Sequence, residues 1–112
     1  IFIEAIKRDD FVSLISAPSY TSNYTDASGN ARTKEWNSTN QYVTGTRETP
    51  SGISSVGGKT GTTGQAGYCL VMLSKNSSNE QIVSIVFKAD SRYNLYYLMN
   101  QILHRLHIYC YQ

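Results

Sequence analysis

The clearest periodicity lies near the end of the chain. Leu95, Leu98, Met99, Ile102, Leu103 and Leu106 recur at offsets of 0, 3, 4, 7, 8 and 11, one face of a helix over about 92–107 that should lie against a sheet. Upstream the pattern changes from a helical repeat to short apolar runs. Three strands are predicted, 53–62, 67–74 and 81–88, the last two joined by the polar link Lys75-Asn76-Ser77-Ser78-Asn79-Glu80 of hairpin length. Because strands 67–74 and 81–88 are apolar at consecutive positions, both of their faces should be covered.

The first half of the chain carries weaker signals. Residues 1–8 read as the end of a helix with Phe2, Ile3 and Ile6 on one face, broken by Asp9-Asp10. Phe11-Val12-Ser13-Leu14-Ile15 is a second short apolar piece, ended by Pro18, which disfavours a helical residue before it. Tyr20, Ser22 and Tyr24 alternate with polar neighbours as in an exposed strand, and Ala27-Ser28-Gly29-Asn30 is a turn signal. Residues 44–51, with Gly45 and Pro50, form a loop. The expected class is therefore α+β: an antiparallel sheet of about three main strands with a C-terminal helix packed on it.

Composition narrows the function classes. At 112 residues the chain holds one domain at most. A net charge of +2 is too small to suggest a nucleic-acid partner. No run of 18 apolar residues is present, so no helix of the length that spans a bilayer is predicted. An apolar opening, Ile1-Phe2-Ile3, without a start Met suggests a piece of a longer protein. Cys69 and Cys110 make no disulfide framework, and Cys69, inside an apolar run, should be a buried, inert thiol. The spacing of His104, His107 and Cys110 does not bring all three to one helix face, so no metal site is expected there.

The candidate chemistry is concentrated in Gly57-Gly58-Lys59-Thr60-Gly61-Thr62-Thr63. Glycines on either side of Lys59-Thr60 expose the main chain. Lys59 offers a point charge for a carboxylate or phosphate, and Thr60 a short donor. A phosphate loop does not fit, since five residues separate Gly52 from Gly58 and a β-rich run follows where a helix is needed. A Lys-Thr-Gly box on a strand is the better match, with a ligand-free Gly/Thr-rich turn as the bland alternative.

The longer run Gly-Gly-Lys-Thr-Gly-Thr-Thr-Gly-Gln-Ala-Gly-Tyr-Cys-Leu-Val, residues 57–71, resembles the serine-type D-alanyl-D-alanine carboxypeptidases, low-molecular-mass penicillin-binding proteins of the penicillin-recognising serine enzymes. Trp36-Asn37-Ser38-Thr39-Asn40-Gln41-Tyr42-Val43 resembles the family's Asn-Thr-Asn segment, and residues 82–92 with the helix after them its last strand and closing helix, so the likeness runs from about residue 2 to 106. The resemblance implies a partial β-lactamase/transpeptidase-like fold, the C-terminal half of a catalytic domain. It implies that Lys59 supplies charge to the serine's proton-transfer network and to the substrate carboxylate. Thr60 would bond that carboxylate, the Thr62 backbone N–H would serve the oxyanion hole, and Gly61 would leave room for an extended peptide. The implied substrate is a peptidoglycan stem peptide ending in D-Ala-D-Ala, with β-lactams as inhibitors, no cofactor or metal, and an exported parent protein acting at the outer face of the cytoplasmic membrane or in the periplasm or cell wall.

The sequence departs from the family pattern at the nucleophile. The residues three before the lysines are Glu4, Ala31, Val56, Met72 and Ile85, so no Ser-x-x-Lys exists. Ser-x-Asn occurs at Ser28-Gly29-Asn30, Ser38-Thr39-Asn40 and Ser77-Ser78-Asn79, among others; in so Ser- and Asn-rich a chain these three are taken as turns, none as catalytic. Alone, the chain should be inactive and prone to self-association. A transpeptidase or β-lactamase of the same fold, or a non-catalytic cell-wall-binding domain, are the alternatives.

Overall fold

The computed structural model describes residues 1–110, with side chains as far as residue 106. Eight elements follow one another: α1 (Phe2–Ala5), α2 (Asp9–Ser16), β1 (Ser19–Thr25), β2 (Ala31–Asn37), β3 (Ile53–Thr63), β4 (Gly67–Asn76), β5 (Gln81–Ala89) and α3 (Arg92–Cys110). The strands β3, β4 and β5 form an antiparallel sheet in that order, and β1 and β2 form a separate antiparallel hairpin. Among the described residues no helix is long and apolar enough to cross a membrane.

The expected strands and helix are present, and their turns have identifiable causes. Between β3 and β4 the chain turns through Gly67 at φ +66°, where a Cβ would stand 2.8 Å from the Ala89 carbonyl oxygen. Glycine therefore fits this position on two counts, conformation and close approach. Between β4 and β5 the Asn76 carboxamide oxygen accepts the backbone N–H groups of Ser78 at 3.0 Å and Glu80 at 2.9 Å, an Asx-type closure of the turn. At the start of α3 the Ser91 hydroxyl accepts the Asn94 N–H at 3.0 Å, satisfying one of the helix's orphan donors.

The helical repeat read in the sequence is buried at Leu95, Met99 and Leu103, but Leu98 is 43 % exposed and Tyr96, outside the repeat, is buried instead. Leu95, Met99 and Leu103, together with Tyr96, pack on Leu70 and Met72 of β4 and on Val86 and Ala89 of β5. Each such large side chain removed from water contributes about 1.5–3 kcal/mol, so this layer is the main core. The opposite sheet face is only partly covered. There α2 lies against β3, burying Ile15, and Leu73 is fully buried. Gly57 permits that approach, since a Cβ on it would be 2.6 Å from the Ile15 carbonyl oxygen. Farther across, Ile85 (45 %) and Phe87 (70 %) remain exposed. The expectation that both faces of the last two strands are covered thus fails on β5, which lies beyond the reach of a two-turn helix packed at the β3 side.

Three other expectations are corrected. The first helical segment is shorter than expected, α1 stopping at Ala5 with its C-cap at Ile6, so Asp9 and Asp10 do not break it but open α2 as its acidic first turn, where carboxylates suit the positive end of the helix dipole. The apolar piece after them is accordingly helical. The Asp10 carboxylate accepts the Phe11 N–H and pairs with Arg8 at 2.8 Å. Cys69 is half-buried rather than enclosed, its thiol donating to the Ala66 carbonyl at 3.4 Å. Finally, β2 carries no apolar alternation to announce it. It forms by pairing with β1 across the predicted turn, from Ser19↔Asn37 to Thr25↔Ala31. Asp26 closes that turn by accepting from Ser28 and Asn30 and pairing with Arg32. The hairpin is almost wholly exposed, and the radius of gyration of 16.2 Å exceeds the roughly 13 Å of a compact domain this size.

Candidate active-site cleft

The box Lys59-Thr60-Gly61 occupies the second half of β3, paired residue by residue with Val71, Leu70 and Cys69 of β4. Since β3 is a sheet edge, one side of its main chain is free of strand pairing among the described residues. Beside it opens a cleft of about 390 Å³, walled by Thr39, Lys59, Thr60 and Thr62, with Tyr68 and the first turns of α3 through Arg92 and Tyr96. The strand thus brings all four of the sequence-predicted residues, Lys59, Thr60, Gly61 and Thr62, to one opening.

Each residue has a distinct setting. Lys59 is exposed, and its ammonium donates to the Thr60 carbonyl at 2.5 Å. Thr60 is half-buried, and its hydroxyl is hydrogen-bonded to that of Thr39. A Cβ on Gly61 would meet nothing within 4 Å, so the main chain here is open to a ligand. The two glycines before the box differ. A Cβ on Gly57 would strike the Ile15 carbonyl, and one on Gly58 would collide with the Val71 carbonyl oxygen and come within 3.1 Å of Asn40. Only the glycine after Lys59-Thr60 exposes backbone to an incoming molecule; those before it accommodate the protein's own chain.

Ser38-Thr39-Asn40 was read from sequence as a turn without a catalytic role, and the structure places it, with Gln41, against the box. Ser38 is tied by its N–H to the Pro18 carbonyl at 2.9 Å. Its hydroxyl accepts the Asn40 N–H at 3.1 Å. Asn40 is 1 % exposed, accepting the Tyr42 N–H through Oδ1 and directing Nδ2 toward the Met72 sulfur. This anchoring leaves Thr39 facing Thr60. Of the other occurrences, Ser28-Gly29-Asn30 and Ser77-Ser78-Asn79 lie in the hairpin turns, and Ser74-Lys75-Asn76 ends β4.

The cleft lining is cationic: among the described residues Lys59 and Arg92 are its charged groups, and no carboxylate lines it. Its side-chain hydroxyls are those of Thr39, Thr60, Thr62, Tyr68 and Tyr96, with no serine among them. Sequence reasoning missed Thr39, Gln41, Tyr68, Arg92 and Tyr96, which are separated from the box along the chain and meet it only in the fold. Among the described residues no group of three or more His, Cys, Asp or Glu is placed to hold a metal ion. The side chains of His107 and Cys110 lie outside the described residues.

Comparison with known proteins bears on the family and the fold. Residues 9–91 match the family model described as D-alanyl-D-alanine carboxypeptidase. Among solved structures, an arginine-to-leucine variant of the Streptomyces K15 DD-transpeptidase is similar, with a TM-score of 0.74 and 25 % identity over 88 % of this chain. The match covers 36 % of that chain, so the sequence spans little more than a third of its neighbour's length. No curated protein matches.

Proposed function

This chain belongs to the D-alanyl-D-alanine carboxypeptidase family, and we propose that it forms the Lys-Thr-Gly side of a serine DD-peptidase site. The reaction removes the terminal D-alanine from peptidoglycan stem peptides. In the whole protein a serine outside these residues attacks the carbonyl of the penultimate D-alanine. The C–N bond breaks, the departing amine takes a proton, and water then hydrolyses the resulting ester. β-Lactams acylate the same serine. The substrate lies outside the cytoplasmic membrane, so the whole protein is exported.

One observation carries the reading: a cleft at a strand edge that joins Lys59, Thr60 and Arg92 and contains no carboxylate. Such a site suits an anionic chain end. Arg92 and Lys59 supply charge to the terminal carboxylate, and Thr60 supplies a hydrogen bond. The peptide then runs past Gly61, where no side chain obstructs it, and the Thr62 N–H donates to the developing oxyanion. Lys59 also provides positive charge where the serine loses its proton. These roles need no metal or organic cofactor.

A transpeptidase is the second reading, favoured by the Streptomyces neighbour. It shares the acyl-enzyme and differs in the acceptor, an amine in place of water. Incubating the full-length protein with a D-Ala-D-Ala peptide, with and without an amine acceptor, distinguishes the two. Free D-alanine without acceptor marks a carboxypeptidase, and D-alanine released only with a new amide marks a transpeptidase. Lys59→Ala should lower kcat/KM by about 10²-fold or more in either case. No D-alanine release under both conditions would leave a non-catalytic cell-wall-binding domain.

A further inference from the structure

The hairpin of β1 and β2 stands apart from the main sheet, and its register sorts its side chains by type. Tyr20 pairs with Trp36, Ser22 with Lys34, and Tyr24 with Arg32. Directly opposed residues share a face, and the pleat sends every second residue to it. The hairpin's three rings and both of its cations therefore lie on one side. Thr21, Asn23, Thr33 and Glu35 fall on the other, which carries no ring.

The ringed face is ordered although each of its rings is about half exposed or more. The Trp36 indole N–H donates to the Ser22 hydroxyl at 3.0 Å, and that hydroxyl donates to the Lys34 carbonyl at 3.3 Å. The Lys34 ammonium stands 3.9 Å from the centre of the Trp36 ring, a cation–π contact. Arg32 is paired with Asp26, whereas Lys34 has no carboxylate partner among the described residues. Rigid exposed rings suit binding, because little freedom is lost when a ligand settles on them. At the hairpin's foot Tyr20 and Trp36 wall a groove with Leu14 and Ser38, and the next residue, Thr39, already lines the cleft.

The occupant follows from this chemistry and placement. A sugar ring can lay its C–H face on an aromatic ring, while its polar groups meet the Ser22 hydroxyl and any carboxylate meets the Lys34 ammonium. Trp36 is three residues from Thr39 and Arg32 seven, at most about 11 and about 25 Å along the chain. A stem peptide of a few residues, extended from the cleft, covers about 10–18 Å. The glycan from which such a peptide hangs would thus come to the hairpin while the peptide's end lies at Thr60.

We infer that the face bearing Tyr20, Trp36 and Lys34 is a docking platform for the glycan strand of the substrate, a sugar polymer bearing carboxylates. The choice of a glycan rests on the DD-peptidase reading. The platform acts on the polymer and leaves a short free peptide unaffected.

The test uses the full-length protein, unaltered and as Trp36→Ala, Trp36→Tyr and Lys34→Ala. Two quantities are measured: Kd for peptide-free peptidoglycan glycan strands, and D-alanine release from a short D-Ala-D-Ala peptide and from intact peptidoglycan. Trp36→Ala should weaken glycan binding about tenfold, the scale of a buried aromatic anchor, and slow release from the polymer while release from the short peptide is unchanged. Trp36→Tyr, which keeps a ring, should retain most of the binding. Lys34→Ala should weaken it at low salt and less at high salt. Absence of glycan binding by the unaltered protein would overturn the inference, as would an unchanged Kd in Trp36→Ala or equal losses on polymer and short peptide. Loss of self-association in place of glycan binding would make this face an interface between copies and overturn it equally. Glycan binding without turnover of either substrate would overturn the peptidase reading and leave the platform standing.

Discussion

Gly58 on β3 lies so close to Asn40 that a Cβ on the glycine would stand 3.1 Å from the Asn40 side-chain nitrogen. The contact explains how residues far from the box in sequence reach it. Asn40 is seated against bare strand, and Thr39 beside it is carried to Thr60. Gly61, three residues on, has open space instead. The two glycines therefore serve different ends, one admitting the protein's own chain and the other leaving room for a peptide.

Gly58→Ala should destabilise the fold by about 1–3 kcal/mol, as for other overpacked sites. The Val71 carbonyl, a backbone atom, is among the groups in the way and cannot swing aside. Gly61→Ala should change stability by less than about 0.5 kcal/mol while lowering peptide turnover. Denaturant midpoints of the two full-length variants check this, and equal destabilisation would contradict it.

Tyr42 is 7 % exposed, and burial pushes its phenol pKa up. Its hydroxyl donates to the Asn100 carboxamide oxygen at 2.5 Å, a bond that requires the proton. A folded-state pKa above the unfolded value means that stability is fully present below the unfolded pKa of about 10 and is lost as pH rises beyond it. Unfolding midpoints taken from about pH 8 to about pH 11 should fall more steeply for the unaltered protein than for Tyr42→Phe. Parallel curves would show that Tyr42 does not contribute to the alkaline loss.

The elements that bury a strong periodic pattern were legible from sequence. Leu95, Met99 and Leu103 announced α3, and the apolar run around Leu70 to Leu73 announced β4. The box was legible too, because Lys59 to Thr62 are contiguous and a single strand presents them together. Thr39, Arg92 and Tyr96 were not, since only the tertiary fold brings them to the cleft. Ser38-Thr39-Asn40 was visible as a motif, but local sequence could not separate it from the two similar triplets in the hairpin turns. What distinguishes it is burial of Asn40 against Gly58 and Met72, a long-range contact. β2 was missed because Ala31–Asn37 is exposed along its whole length and no buried face imposes a period on its residues.

Ile85 and Phe87 leave an apolar surface on β5, which is also a sheet edge. We expect the 112-residue chain on its own to self-associate through this face, since α3 is already packed and its buried positions are not available for exchange without unfolding. Sedimentation over a concentration series should show growing mass, reduced in an Ile85→Thr, Phe87→Ser double variant. A compact monomer at every concentration, with one cooperative unfolding transition, would contradict this.

Covalent labelling with a fluorescent penicillin tests most directly the central claim, that these residues form one side of a serine peptidase site whose nucleophile lies elsewhere in the protein. No serine here has a lysine three residues on, and none lines the cleft. The 112-residue chain should therefore remain unlabelled. The full-length protein should be labelled stoichiometrically at a serine outside this sequence, and more slowly when it carries Lys59→Ala. Stoichiometric labelling of the 112-residue chain, or a full-length adduct mapped to one of its own serines, would contradict the account.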